Sequence, residues 1–148
     1  MKSVFNEKVR VELIDRIAEL NNDLKSNWGK MEVGQMIKHC VLWNEMAIGR
    51  MTSKRTFSGF IFGKLVLRKL IKDENPVPKN MPTIPFLIIK DHTGDIESDK
   101  QKWIEQIIEF GQLDDYTILH PFFGKMNKDQ IGALAYKHTD HHLRQFNV

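Results

Sequence analysis

Six histidines occur in the 148 residues, and three of them stand together near the end of the chain. The run His138-Thr139-Asp140-His141-His142-Leu143-Arg144-Gln145 sets His138 and His142 four residues apart. One helical turn separates such a pair, so both rings project from one face. Two imidazoles placed this way can reach one divalent metal at about 2.0–2.1 Å. Ile131, Leu134, His138, His142 and Gln145 recur at three- and four-residue spacing and form one stripe. That stripe begins apolar, so the imidazoles continue the buried side of a helix. Spacing alone also admits a His138/His141 pair. It equally admits a solvated pair at a helix C-terminus, where the helix dipole favours imidazolium.

His39 supplies a third imidazole. It sits between Met36 and Trp43 at the border of an apolar stripe, with Gln35 one turn earlier on the same face. Three neutral imidazoles around an open position are a catalytic zinc arrangement, and imidazole also suits nickel, iron and copper. Cys40 is adjacent to His39, but neighbouring helix residues point about 100° apart, so it reads as an inert buried thiol. Asp140 lies about 200° around the helix from His138 and should face away. His92, beside Asp91, reads as polar surface. The sequence contains no Gly-rich phosphate loop, paired-carboxylate motif or nucleophile elbow.

Four helices are expected to position these residues. Val9, Leu13, Ile14, Ile17 and Leu20 predict a first helix over 6–24, closed by the turn formers Asn21-Asn22-Asp23. Val33 to Ala47 carries an apolar stripe that predicts a second over 32–50, with Glu32 a weak cap. Ser98-Asp99-Lys100-Gln101 has the form of a capping box and predicts a third over 99–110, with Gly111 as a left-handed C-cap. Asn127-Lys128-Asp129-Gln130 opens the last, over 128–146. Between the second and third lies a long connection, 51–94. Its stretch 57–71 is apolar with Lys64, Arg68 and Lys69 interspersed. It reads as a short helix packed on the bundle, in preference to a basic amphipathic element that touches a membrane. Four prolines between 76 and 85 make the next stretch extended. Phe86 to Ile89 is too short and too isolated for a sheet.

Composition sets the frame. The length fits one domain over 1–148, able to bury a core without disulfides or a structural metal. The net charge of +3 lacks the dense basic stripe of a nucleic-acid binder. The apolar stretches are all broken by charge before membrane-spanning length. One cysteine excludes an internal disulfide, and the charged N-terminus lacks a signal-peptide core, so a cytoplasmic protein with neither nucleic-acid nor membrane partner is expected.

Two C-terminal strings, His120-Pro121-Phe122-Phe123-Gly124-Lys125-Met126 and Tyr136-Lys137-His138-Thr139-Asp140-His141-His142-Leu143-Arg144-Gln145-Phe146, resemble the DinB/YfiT-like superfamily. Trp28-Gly29-Lys30-Met31 with Gln35, Met36 and His39 resembles the second-helix motif of one uncharacterised bacterial branch, and Pro78 to Thr83 matches it loosely. The resemblance implies an all-α fold, a four-helix bundle of up-down-down-up order with the long connection after helix 2. It implies a metal triad of His39, His138 and His142, preferring His142 to His141, with Gln145 following the last ligand. It also implies bundles that pair as homodimers, and characterised relatives that are thiol-dependent transferases, isomerases or proposed hydrolases.

The expected function is therefore a metal-dependent enzyme holding Zn2+ or Ni2+, acting on a small molecule with a low-molecular-weight thiol as one candidate. Gln145 and His120 are candidate catalytic residues. Gln145 would orient a ligand or water, and His120 would be a base, a group behind the ligands, or a cap for the last helix. The rival reading is a non-catalytic metal-binding or stress-associated protein.

Overall fold

The computed structural model describes residues 1–91 and 94–148; His92 lies outside the described residues. Among these, five α-helices form: α1 (Glu7–Ala18), α2 (Val33–Ala47), α3 (Phe57–Leu70), α4 (Ile96–Phe110) and α5 (Lys128–Gln145). A single 3-10 turn, Pro85–Leu87, precedes α4. Strands β1 (Ile118–His120) and β2 (Gly124–Met126) pair antiparallel, with His120 opposite Gly124.

α1, α4, α2 and α5 pack in that cyclic order, so the consecutive helices α1 and α2 stand diagonally across the bundle. The core runs through Leu13, Ile17, Met36, Ile37, Trp103, Ile107 and Leu143. Trp103 and Ile107 come from the face of α4 that its periodicity marks as apolar.

Several boundaries differ from expectation for identifiable reasons. α1 stops at Ala18, not near 24. The buried Lys100 ammonium reaches across from α4 and binds the Ala18 and Leu20 carbonyls at 3.1 and 2.7 Å, closing the helix end. Asn21 then takes the Asp23 N–H in a side-chain turn. α4 starts three residues early, because Asp95 and not Ser98 caps it, accepting from the Glu97 and Ser98 N–H groups. Gly111 is right-handed, with φ −65°. Its missing Cβ makes room for the Arg10 guanidinium, whose atoms would stand 2.6 Å from one. Gln35 strengthens the weak Glu32 cap by accepting the Glu32 N–H at 2.9 Å.

The short helix expected over 57–71 forms as α3, so the long connection adds a fifth helix to the four of the bundle. The all-α expectation needs correction in one place: the HPFFG string is a β-hairpin turn. Gly124 has φ +77°, which that turn requires, and His120 organises its backbone. α3 rests on this hairpin through two glycines. A Cβ at Gly59 or Gly63 would stand 2.5 or 2.0 Å from the Phe122 carbonyl oxygen. The result is a mostly helical bundle with a small hairpin insertion, consistent with the general DinB/YfiT-like architecture.

Candidate metal centre

α2 and α5 are neighbours in the ring, and their facing sides bring His39 beside His138 and His142. One ring nitrogen from each lies within 4.8 Å of the other two. The ring centroids are 5.1, 4.9 and 4.7 Å apart for the 39–138, 39–142 and 138–142 pairs. His39 Nε2 and His138 Nε2 stand 3.1 Å apart. Two ligands of a tetrahedral metal at 2.0–2.1 Å stand about 3.3–3.4 Å apart, so this separation suits a shared ion.

The remaining ring atoms explain why these nitrogens converge. His39 Nδ1 lies 2.9 Å from the Leu87 carbonyl, which can only accept, so Nδ1 carries the proton and Nε2 presents its lone pair. His142 Nδ1 lies 2.9 Å from Gln145 Oε1. Gln145 is itself fixed, because its Nε2 donates to the Trp28 carbonyl at 2.7 Å, and so Oε1 must face His142. Such partners set the tautomer and ring orientation of metal-ligating histidines. Trp43 stacks on His138 at 4.4 Å and 15°, which holds the third ring flat. His138 Nδ1 is buried without a hydrogen-bond partner among the described residues.

All three rings are neutral at pH 7, the form that binds metal. Burial pushes His142 down to about 3, reinforced by His39 and opposed by its bond to Gln145. Burial also lowers His39, against the pull of the Leu87 carbonyl. It holds His138 well below its ordinary value, with His142, His39, His141 and His120 adding to it.

The other sequence candidates fall elsewhere. His141 packs edge-on against Trp28, at 5.6 Å between centroids, and is outside the cluster. Asp140 faces α1 and pairs with Arg16 at 2.8 Å. Cys40 is fully buried, its thiol pushed well up by burial, with Sγ 3.7 Å from Met36 Sδ. His120 does not cap α5, which Asn127 caps. Its Nδ1 accepts the Phe122 and Phe123 N–H groups, both at 3.1 Å. That uses its lone pair and leaves the proton on Nε2, and burial depresses it to about 4.

Three contributors escaped the sequence. The Leu87 carbonyl orients His39, but a backbone acceptor has no residue-type signature. The Trp28 carbonyl anchors Gln145. Gly29, with φ +78°, permits that approach, since a Cβ there would stand 2.8 Å from Gln145 Nε2. The neighbouring Trp28-Gly29 pair and Gln145 were each visible, but their contact across the fold was not.

A family model described as "Protein of unknown function (DUF1569)" matches residues 8–148. The chain belongs to this DUF1569 family. No curated protein and no solved structure matches it. The matched span of this DUF1569 protein includes all three clustered histidines and both segments that orient them, 28–29 and 85–87. A buried three-histidine cluster able to coordinate a metal ion on a DinB-like bundle is thus the feature from which function must be argued.

Proposed function

We propose that this DUF1569 protein is a divalent-metal-dependent enzyme of the thiol S-transferase or hydrolase type, with His39, His138 and His142 holding Zn2+ or Ni2+. The supporting observation is the convergence of three neutral imidazoles, two of them with Nδ1 committed to acceptors that turn Nε2 inward. Among the described residues three protein donors make up the cluster, which suits a site with an exchangeable fourth position. The bound metal supplies a Lewis acid that lowers the pKa of a water or thiol placed there.

The chain's own residues do the rest. Leu87 and Gln145 hold two ligands in one tautomer, so no reorganisation is needed when charge develops. Trp43 covers His138 and keeps water from that side. Gln145 acts as a positioning residue. His120, neutral and protonated on Nε2, is a donor and not a base; its role toward a substrate would be to hydrogen-bond an accepting atom. A small-molecule substrate, with a low-molecular-weight thiol as co-substrate, and a reducing cytoplasmic setting complete the reading.

Cobalt loading tests it without relying on turnover. Co2+ in the site should give visible bands of a four-coordinate ion, and added low-molecular-weight thiol should produce a sulfur-to-cobalt charge-transfer band. Bands that ignore every thiol would remove the transferase arm and leave the hydrolase arm. A spectrum that responds to no added ligand would mean a closed site, and would shift the reading to a non-catalytic metal-binding protein.

A further inference from the structure

α3 exposes what helices ordinarily bury. Phe57 is 81% exposed, Phe60 65%, Ile61 59%, Phe62 53% and Leu65 68%. At about 150–200 Å² for a large apolar side chain, the five present roughly 500–650 Å². That reaches or exceeds the largest apolar patch a monomer usually shows, and patches of this size are often functional. The docking geometry causes the exposure. Gly59, Gly63 and Leu67 are the buried side, set against the hairpin turn. Phe57, Ile61, Leu65 and Arg68 share the opposite side at three- and four-residue spacing, whereas the Lys64 ammonium turns back to the Lys125 carbonyl of β2.

Charge is distributed just as unevenly. Residues 46–72 hold seven cations, Arg50, Lys54, Arg55, Lys64, Arg68, Lys69 and Lys72, and no acid. Against a net charge of +3 for the chain, the remainder therefore carries −4. The apolar residues occupy the first half of α3 and most of the cations the second half or just beyond it.

We propose that α3 docks this protein on an anionic membrane surface, seating Phe57 to Leu65 at the headgroup–acyl boundary while Arg68, Lys69 and Lys72 contact lipid phosphates and carboxylates. No helix among the described residues is long and apolar enough to cross a membrane. α3, at 14 residues, is about 21 Å long and would lie in the plane of the surface. Long basic side chains on the apolar side lift their charges to the headgroups while their stems stay in contact with the apolar layer. Arg50 pairs with Glu45 and Glu109, and Lys72 with Asp73, so the charge offered to a negative surface comes chiefly from Arg68 and Lys69 of α3. A second copy of the chain fits less well, because α3 against α3 sets cations on cations with no acid to receive them. Single-stranded nucleic acid fits less well because Ile61 and Leu65, which cannot stack on bases, sit in the centre of the face.

The test is co-sedimentation of the full chain with phosphatidylcholine vesicles, with and without phosphatidylserine, at low and moderate salt. Two double variants accompany it: Phe57→Gln with Ile61→Gln, and Arg68→Glu with Lys69→Glu. These side chains are exposed, so helicity and melting should match the native protein. The native chain should sediment with the phosphatidylserine vesicles, release as salt rises, and ignore pure phosphatidylcholine. Each double variant should lose about tenfold in binding. No sedimentation at low salt would overturn the proposal. So would variants that bind like the native chain, a native dimer that the Phe57/Ile61 variant dissociates, or single-stranded DNA binding in place of vesicle binding.

Discussion

α2 and α3 are 15 and 14 residues long, and both are rich in large apolar side chains. Eleven residues of α2 are buried, against three of α3. The difference lies in their neighbours. α2 stands between α4 and α5, so its apolar stripe and His39 are covered from two sides. α3 rests on the hairpin through glycines that allow close approach but bring no area of their own, and of its large apolar residues Leu67 alone is fully buried in the core. Polar residues follow the same division. Two of those on α2 are fitted to backbone partners: Gln35 bonds the Ile89 and Lys90 carbonyls, and His39 bonds Leu87. Of the cations on α3, Lys64 bonds the Lys125 carbonyl of the hairpin, and Arg68 and Lys69 are exposed. Apolar content tells which helices seek cover, and topology decides which one receives it.

Acid should separate the two regions most strongly. α3 has no histidine or carboxylate, whereas the bundle buries His39, His120, His138 and His142. Their folded pKa values lie below the ordinary 6.5, so on acidification the unfolded chain takes protons first. Stability is therefore complete above about pH 6.5 and falls as pH drops toward the folded values, about 4 for His120 and about 3 for His142. His120 alone, displaced from 6.5 to about 4, would cost about 3 kcal/mol by the end of that window. Urea midpoints measured from pH 7.5 downward should show this loss. A flat profile would mean that the bundle's histidines are as open to water as α3.

Gly63→Val tests how α3 is held. Its Cβ would meet the Phe122 carbonyl oxygen at 2.0 Å and the Phe123 Cα at 3.2 Å, both backbone atoms that cannot swing aside. The expected loss is about 1–3 kcal/mol in stability, with faster proteolysis between Lys54 and Lys72. An unchanged midpoint and cleavage rate would show that α3 is not seated on the hairpin.

Gln145→Leu sharpens the account of the buried side. It removes the acceptor for His142 Nδ1–H while keeping the bulk, so chelator competition should show metal binding weakened about 10–100-fold. Gln145→Glu, which keeps an acceptor, should recover part of that loss. Equal affinity in all three proteins would make Gln145 a mere space filler. The smallest effect belongs to Cys40. A thiol reagent should leave the native protein unlabelled and react only on unfolding, because the thiol is fully buried and pushed up by burial. Rapid native labelling would show α2 opening as readily as a surface helix.

Much of the buried half was legible in the sequence. The i, i+4 spacing of His138 and His142, and their continuity with Ile131 and Leu134, follow from helix geometry alone. His39 was visible as a candidate, but its distance from the pair depends on the diagonal placement of α1 and α2, which periodicity does not encode. The hairpin was hidden because three-residue strands carry no usable alternation. α1 and α4 were misjudged at their ends because Lys100 and Asp95, one distant and one just outside the chosen box, do the capping. For α3 the periodicity was present, but nothing in it distinguishes an apolar face that finds cover from one that does not.

The most direct test of the central claim is metal content by elemental analysis. The protein should be purified without a histidine tag or metal column, beside His39→Ala and His138→Ala. Near one equivalent of zinc or nickel in the native protein, lost in both variants while helicity persists, is the predicted result. No metal in the native protein, even after incubation with either ion, would contradict it.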